Sequence, residues 1–293
     1  MEIRAFPGLY TADDAVDVGL DGMVIADNVD FSRTGGVARR KGRTEIYTGT
    51  VLDAWGDGED FLFLEGTSLK RLLDTSGTVE TIRSDLTNPT FLTAVRAYDR
   101  LYWNTDNDYG VLEGSISRAW GIPKPDRPQL TATTGSLVSG RYLVALAYAD
   151  EAGREGPLSE FELFVGEGGV VASLPALSAT LARHLVTTAN LYLTTKDGQE
   201  LYLAKSQQLV STTSTVSYTG TGAEFGIPAD NQFREVLPAG IKLVSFAGRL
   251  WAGHLDMLIY SDEYSEHTDL RSNFLPLPGR LQDFGAVEDG LWV

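Results

Sequence analysis

The residue types that could carry chemistry in this chain are few and scattered. It has no cysteine, which excludes thiolate nucleophiles, thiolate metal sites and disulfides together. Its histidines, His184, His254 and His267, sit in different segments without the close His or carboxylate spacing of a zinc site, and a structural role is expected for each. Asn104-Thr-Asp-Asn-Asp-Tyr-Gly110 alternates acidic groups as a calcium loop does. Its glycine comes one place late, however, and Ser115 stands where a bidentate Glu belongs, so an Asn/Asp-rich turn between strands is the expectation. A Gly-x-Ser-x-Gly elbow, a phosphate-binding Gly-x-x-x-x-Gly-Lys loop, a dinucleotide fingerprint and sialidase-type Ser-x-Asp-x-Gly-x-Thr-Trp boxes are all absent. Carboxylates are numerous enough for a glycosidase pair, but no spacing selects two of them. The sequence therefore predicts no enzyme, no catalytic residue, no metal site and no cofactor.

The most unusual local feature is a charge inversion near the start. Glu2, Asp13, Asp14, Asp17, Asp21, Asp27 and Asp30 oppose only Arg4, after which Arg33, Arg39, Arg40, Lys41 and Arg43 arrive without an intervening acid. Two readings stand. The residues form the two ends of a solvated hairpin around Gly35-Gly36, or the cationic strip is a docking surface for an acidic patch of a neighbouring subunit. Nucleic-acid binding through the strip is disfavoured by the surrounding field, because 24 basic against 40 acidic residues give a net charge of −16.

The elements that must position these residues read as strands. Thirty-one glycines, frequent Val and Thr, and turn signals at Asp57-Gly58, Ser76-Gly77, Asp197-Gly198 and Asp289-Gly290 predict an all-β chain. Runs such as Phe61 to Leu64, Leu101 to Trp103, Leu191 to Leu193, Leu201 to Ala204 and Leu255 to Tyr260 are too short for helices. One helical turn is predicted around Ala179 to Val186, where Leu177, Leu181 and Leu185 recur every fourth residue. No stretch approaches the roughly 18 apolar residues of a membrane helix, and Met1-Glu2 opens no secretory signal, so synthesis in a cytoplasm is expected.

Three prolines in Trp120-Gly-Ile-Pro-Lys-Pro-Asp-Arg-Pro128 stiffen the chain and mark a domain junction. Three segments follow: 1–126, the first part of a β platform; 127–225, a small β-sandwich; and 226–293, the second part of the platform. Within the sandwich, a strand, a turn at Gly140 and a half-buried strand with Tyr142, Val144, Leu146 and Tyr148 on one face are predicted, feeding a polar hairpin. Two Leu-Tyr-Leu strands around the Asp197-Gly198 turn follow. In the flanks, the stretches beginning at Asp53, Thr93 and Leu243 each give a strand, a polar turn, an aromatic strand and a further turn. They are propeller blades or the repeated hairpins of a meander. The flanks carry nets of −8 and −5 against −3 for the middle segment, which places most of the acid on the platform.

Gly22-Met-Val-Ile-Ala-Asp-Asn-Val-Asp-Phe-Ser-Arg-Thr-Gly-Gly-Val-Ala-Arg-Arg-Lys-Gly42 resembles the N-terminal signature of tailed-bacteriophage tail proteins of the nozzle or tail-tubular type. The similarity continues through Trp120-Gly-Ile-Pro, the Leu-Tyr-Leu pairs, Leu243-Val-Ser-Phe-Ala-Gly-Arg-Leu-Trp251 and Ile259-Tyr-Ser261 with His267 shortly after. The resemblance implies a structural virion protein: a propeller-like platform with an inserted fibronectin-III-like sandwich, assembled as a homo-oligomeric ring, a hexamer by preference, around the DNA-ejection channel of the virion tail. It implies docking to the head-tail connector or adaptor and to other tail proteins, DNA passing without specific binding, and no membrane. The chain is shorter than the pattern. Its platform closes by pairing of its two ends, or is completed by a neighbouring subunit, or is not a full propeller. An acidic lumen would let the duplex slide where a basic one would hold it. The competing class is a glycan-binding module on a virion or cell surface, with Trp55, Trp103, Trp120, Trp251 and Trp292 as candidates, of which Trp103 and Trp251 are expected in the core.

Overall fold

Leu101, Tyr102 and Trp103 are consecutive and all buried, which a strand achieves only when both faces of its sheet are covered, since successive side chains point to opposite sides. The computed structural model describes the backbone of Val29–Phe31 and Val37–Arg39 and the whole of residues 45–293. The chain divides into two units, residues 1–48 and 49–293. In the first, Val29–Phe31 pairs antiparallel with Val37–Arg39, the two strands flanking the Gly35-Gly36 segment. Arg33, Arg40, Lys41 and Arg43 of the cationic strip lie outside the described residues, and Arg39 is described only as the end of a strand.

The second unit is all-β apart from a single helical turn, Ala179–Arg183, among the described residues. Ser178 caps that turn, its Oγ accepting from the Leu181 N–H. Three four-stranded antiparallel sheets are present. The first consists of Ala54–Gly56, Phe61–Glu65, Ser68–Leu72 and Val79–Arg83. The second is Thr93–Ala97, Arg100–Asn104, Tyr109–Glu113 and Ile116–Arg118. The third is Leu243–Phe246, Arg249–His254, Met257–Tyr260 and Phe274–Pro276. Strands neighbouring in sequence are neighbours in each sheet, although His267–Asp269 intervenes before the last strand of the third and pairs instead with Arg234–Val236.

These sheets stack face to face. Leu62, Leu64 and Leu69 of the first meet Ala94, Leu101, Trp103 and Leu112 of the second. From the opposite face of the second, Ala97, Tyr102 and Val111 meet Leu243, Leu250, Ala252 and Ile259 of the third. The outer face of the third, with Val244, Trp251 and Leu258, is covered by Leu281 and Phe284. Burial of a large apolar side chain contributes roughly 1.5–3 kcal/mol, so the leucines and aromatics at these interfaces hold the layers together.

Between the second and third sheets in sequence lies one six-stranded antiparallel sheet. Its central strand, Leu130–Asp150, pairs along one edge with Glu162–Leu174 and with Glu155–Leu158, and over its last residues along the other edge with Val186–Thr194. Leu201–Gln208 and Ser214–Tyr218 complete it. Register breaks between Thr133 and Gly140 fold the sheet over. Gly168 takes φ +89° at this fold, where a Cβ would stand 2.7 Å from the Thr133 carbonyl oxygen. The core inside the fold draws Val170, Ala172, Leu174 and Val216 from one half and Tyr142, Val144, Leu146, Ala189, Leu191 and Leu193 from the other.

Two sequence expectations are corrected here. No turn forms at Gly140, which lies within the continuous strand opposite Gly166, because glycine-bearing bulges bend the strand without ending it. The stretch from Tyr142 to Tyr148 is not half-buried. Its second face, with Ala145 and Ala147, packs against Leu158, Tyr192 and Leu201 and is further covered by Ala229.

Candidate functional site

The densest convergence of polar side chains lies where the chain leaves Ile116–Arg118 and passes through Trp120-Gly121-Ile122 toward the folded sheet. Every one of these three residues is buried, so each backbone polar group needs a partner. The Ala119 N–H donates to the carbonyl of Arg183 at 3.0 Å. Trp120 donates its indole N–H to the Leu237 carbonyl at 2.9 Å and stacks on Tyr109 with ring centroids 4.7 Å apart. The Gly121 N–H donates to Glu266 Oε2 at 2.6 Å, and its carbonyl accepts from His184 Nδ1 at 2.7 Å. The Ile122 N–H donates to His267 Nε2 at 2.9 Å. Gly121 adopts φ +66°, and a Cβ there would come within 2.8 Å of Val236 Cγ1, so glycine is required both by the backbone and by the space.

Glu266 is the hub. Its carboxylate accepts from Arg118 twice, Nη2 to Oε1 at 2.8 Å and Nη1 to Oε2 at 3.1 Å, in the bidentate geometry that suits a guanidinium. Tyr102 donates its hydroxyl to Oε1 at 3.1 Å, and Arg100 Nη1 stands 3.5 Å away. Arg118 also reaches the Ala119 carbonyl at 3.0 Å and Glu113 at 3.3 Å. The network thus ties the second sheet, the 119–122 segment and the Glu266-His267 segment, which interrupts the third sheet in sequence, to one carboxylate.

Electrostatics fix the protonation states. Burial by itself raises the Glu266 pKa, but the Arg118 contacts, the Gly121 N–H and the Tyr102 hydroxyl outweigh it and hold the group below the ordinary carboxylate value. Arg118 is held above its ordinary value: burial lowers it, and Glu266 and Glu113 more than compensate. Burial pushes His267 down to about 4, the bond at Ile122 opposing. Burial likewise lowers His184, against the bond to the Gly121 carbonyl. Tyr102 is raised by burial and by the Glu266 charge. These directions favour a charged Glu266 and Arg118 and a neutral His184, His267 and Tyr102, the states their hydrogen bonds require.

A cavity of about 560 Å³ adjoins the network, lined among others by Tyr98, Arg100, Arg154, Glu155, Arg234 and Tyr264. Its charges of both signs are interleaved. At its rim, Tyr98, in the left-handed region at φ +52°, donates its hydroxyl to the Gly248 carbonyl at 2.9 Å and so links the hairpin tips of the second and third sheets.

The remaining sequence candidates are dispersed. His254 is exposed at the end of its strand. In the Asn104–Gly110 loop, Asp106 accepts from the Thr90 N–H and hydroxyl, Asp108 accepts from Arg83 and the Thr87 N–H, and Asn104 donates to the Gly240 carbonyl. The acids fasten the connection between the first and second sheets. Among the described residues, no group of three or more His, Asp and Glu side chains is placed to hold a metal ion. Trp103 and Trp251 are core residues, and Trp120, offered as a glycan-facing candidate, is fully buried by Tyr109 and the Leu237 segment. Trp55 is half-buried, and Trp292 is 61% exposed.

Sequence reasoning missed Arg118, Tyr102 and Glu266, and it left His184 and His267 apart although the fold sets them on successive residues of one segment. The available signal was the Trp-Gly-Ile-Pro string, a bulky aromatic and a glycine before a proline. No protein-family model matches the chain, and comparison with curated proteins gives no match.

Proposed function

We propose that this chain is a structural virion protein of a tailed bacteriophage, forming a ring at the tail and connector that shapes the DNA-ejection channel. The observation that carries the reading is the stack of three four-stranded antiparallel sheets, with a folded β insert joining the second to the third in sequence. Such sheets suit the blades of a propeller-like platform, and a core enclosed by a sheet folded on itself suits a fibronectin-III-like insertion. The buried Arg118–Glu266 pair supports a mechanical role, since it joins the two parts of the platform and holds the 119–122 segment, to which Arg183 and His184 of the insert are bonded. The net charge of −16 supports a conduit that does not retain DNA.

Mass photometry and electron microscopy of the full chain, alone and on labelled particles, test this. A closed ring, hexameric by expectation, with label at the tail and no retardation of duplex DNA in low salt supports the proposal. A chain that stays monomeric, labels no tail and gives a specific glycan-array signal abolished by Trp292→Ala overturns it in favour of a glycan-binding module.

A further inference from the structure

The strand Glu162–Leu174 has two unlike ends. Residues 170–174 pair on both sides, with Leu130–Asp150 and with Ser214–Tyr218. Residues 162–166 pair only with residues 140–144 of the central strand, and their other edge has no backbone partner among the described residues. Unpaired N–H and C=O groups along such an edge are a template for another strand.

The side chains on this edge are those of a surface meant to be covered. Phe161, Leu163 and Val165 fall at alternate positions and so share one face, and they are 50%, 41% and 65% exposed. Phe164, between them, points into the core. The exposed face is continuous with the layer formed by Ala145, Leu158, Tyr192 and Leu201, against which Leu143, the cross-strand neighbour of Leu163, is packed. Exposed apolar groups in a row on a free edge mark an interaction site. The usual protections of an edge, a lysine or a proline within it, are missing from residues 161–166.

Charge selects the occupant. Glu160 and Glu167 bracket the edge, both exposed and without an ion-pair partner among the described residues, while Glu162 pairs with Arg127 at 2.6 Å. An antiparallel pairing of this edge with a second copy of itself, centred on Leu163, sets Glu160 of each copy opposite Gly166 of the other, one residue from Glu167, so that four carboxylates gather at the two ends of the pairing. Like charges so placed oppose pairing. A strand with basic residues at its ends meets opposite charge there.

We propose that residues 161–166 receive an extended segment of a partner protein, basic at its ends and apolar at alternate positions, added to the sheet as a further strand. Backbone bonds hold it, the Phe161, Leu163 and Val165 face packs its apolar side chains, and Glu160 and Glu167 fix its ends. The inference does not rest on ring assembly.

The test uses the full chain and a fluorescein-labelled, end-capped heptapeptide, Lys-Val-Thr-Val-Thr-Val-Lys, with the same peptide carrying glutamate in place of both lysines as control. The lysine peptide is expected to bind saturably, to weaken with added salt, and to slow amide exchange in residues 161–166. Val165→Lys, at an exposed position, is expected to weaken binding about tenfold or more without changing the thermal midpoint. The double variant Glu160→Lys/Glu167→Lys is expected to exchange the preference toward the glutamate peptide. Equal binding of both peptides, or unchanged binding by Val165→Lys, overturns the proposal. So does concentration-dependent protection of residues 161–166 in the free chain, which would make the occupant a second copy. Mass photometry of Val165→Lys in parallel separates this outcome from the ring reading: a ring that persists while peptide binding is lost leaves the two independent.

Discussion

At the scale of single residues, Glu266 converts a burial cost into a fixed geometry. A carboxylate this buried is tolerated because donors of Arg118, Tyr102, Gly121 and Arg100 converge on it, and its removal leaves Arg118, 6% exposed at its side chain, with the half-solvated Glu113 as its remaining anionic partner. Glu266→Leu is expected to cost about 3–5 kcal/mol in urea denaturation. Arg118→Met/Glu266→Leu should cost less than the sum of the two single changes by at least about 1 kcal/mol. Additive losses would show that the pair does not act as a unit. His267 gives a pH test. Its pKa is about 4 in the folded chain against 6.5 ordinarily, so between those values the unfolded state binds the extra proton. The contribution of His267 is therefore whole above pH 6.5 and is lost as pH falls to about 4, a loss of about 3 kcal/mol. His184, also lowered, adds in the same direction. Below 4.5 the depressed Glu266 adds a further loss. Urea midpoints measured from pH 7 to 4 should fall over this window, and His267→Gln should flatten the dependence.

At the scale of elements, the 119–122 segment matters more than its length suggests. It was legible in the sequence as a break, because prolines and a glycine cannot continue a strand. Nothing local said that the break would be buried. Comparison of two glycines isolates that point. Gly114 and Gly121 both lie at positive φ, +64° and +66°, but a Cβ at Gly114 meets nothing within 4 Å whereas one at Gly121 meets Val236. Gly114→Ala should cost about 1 kcal/mol from backbone strain alone, and Gly121→Ala about 1–3 kcal/mol more from the forced contact. Similar midpoints for the two variants would mean that the junction yields. The strands themselves were far easier to read. Phe61–Glu65, Arg100–Asn104 and Arg249–His254 are short apolar runs bounded by turn residues, and that pattern is local. The Gly140 turn misled because a glycine signals a turn and a bulge equally well, and the choice is made by the opposing strand, here at Gly166.

At the scale of the whole molecule, residues 49–293 are bound through layers that share cores, the second sheet contributing to two of them. The folded sheet joins that stack through Trp120, Gly121 and Ile122. The stacked sheets and the folded sheet are therefore expected to unfold in a single calorimetric transition, and Trp120→Ala, which removes the stacking on Tyr109 and the bond to Leu237, is expected to split it in two. A single transition retained by Trp120→Ala would show that other contacts suffice. Among the described residues several carboxylates are taken up by arginines, as Asp57, Glu59 and Asp60 are by Arg96.

The sequence alone determined the all-β class, the stretches that form the three four-stranded sheets, a helical turn around Ala179 to Val186 and the break before the folded sheet, because each depends on short apolar runs, periodicity, turn residues or prolines within a few positions. Only the tertiary structure decided which faces are covered twice, which strand edge is left open, and that Arg118, Tyr102, His184, Glu266 and His267 meet around one glycine. Those facts depend on pairs of residues up to 164 positions apart, as between Tyr102 and Glu266, and the stacking of sheets that brings such pairs together leaves no periodic signature in the chain.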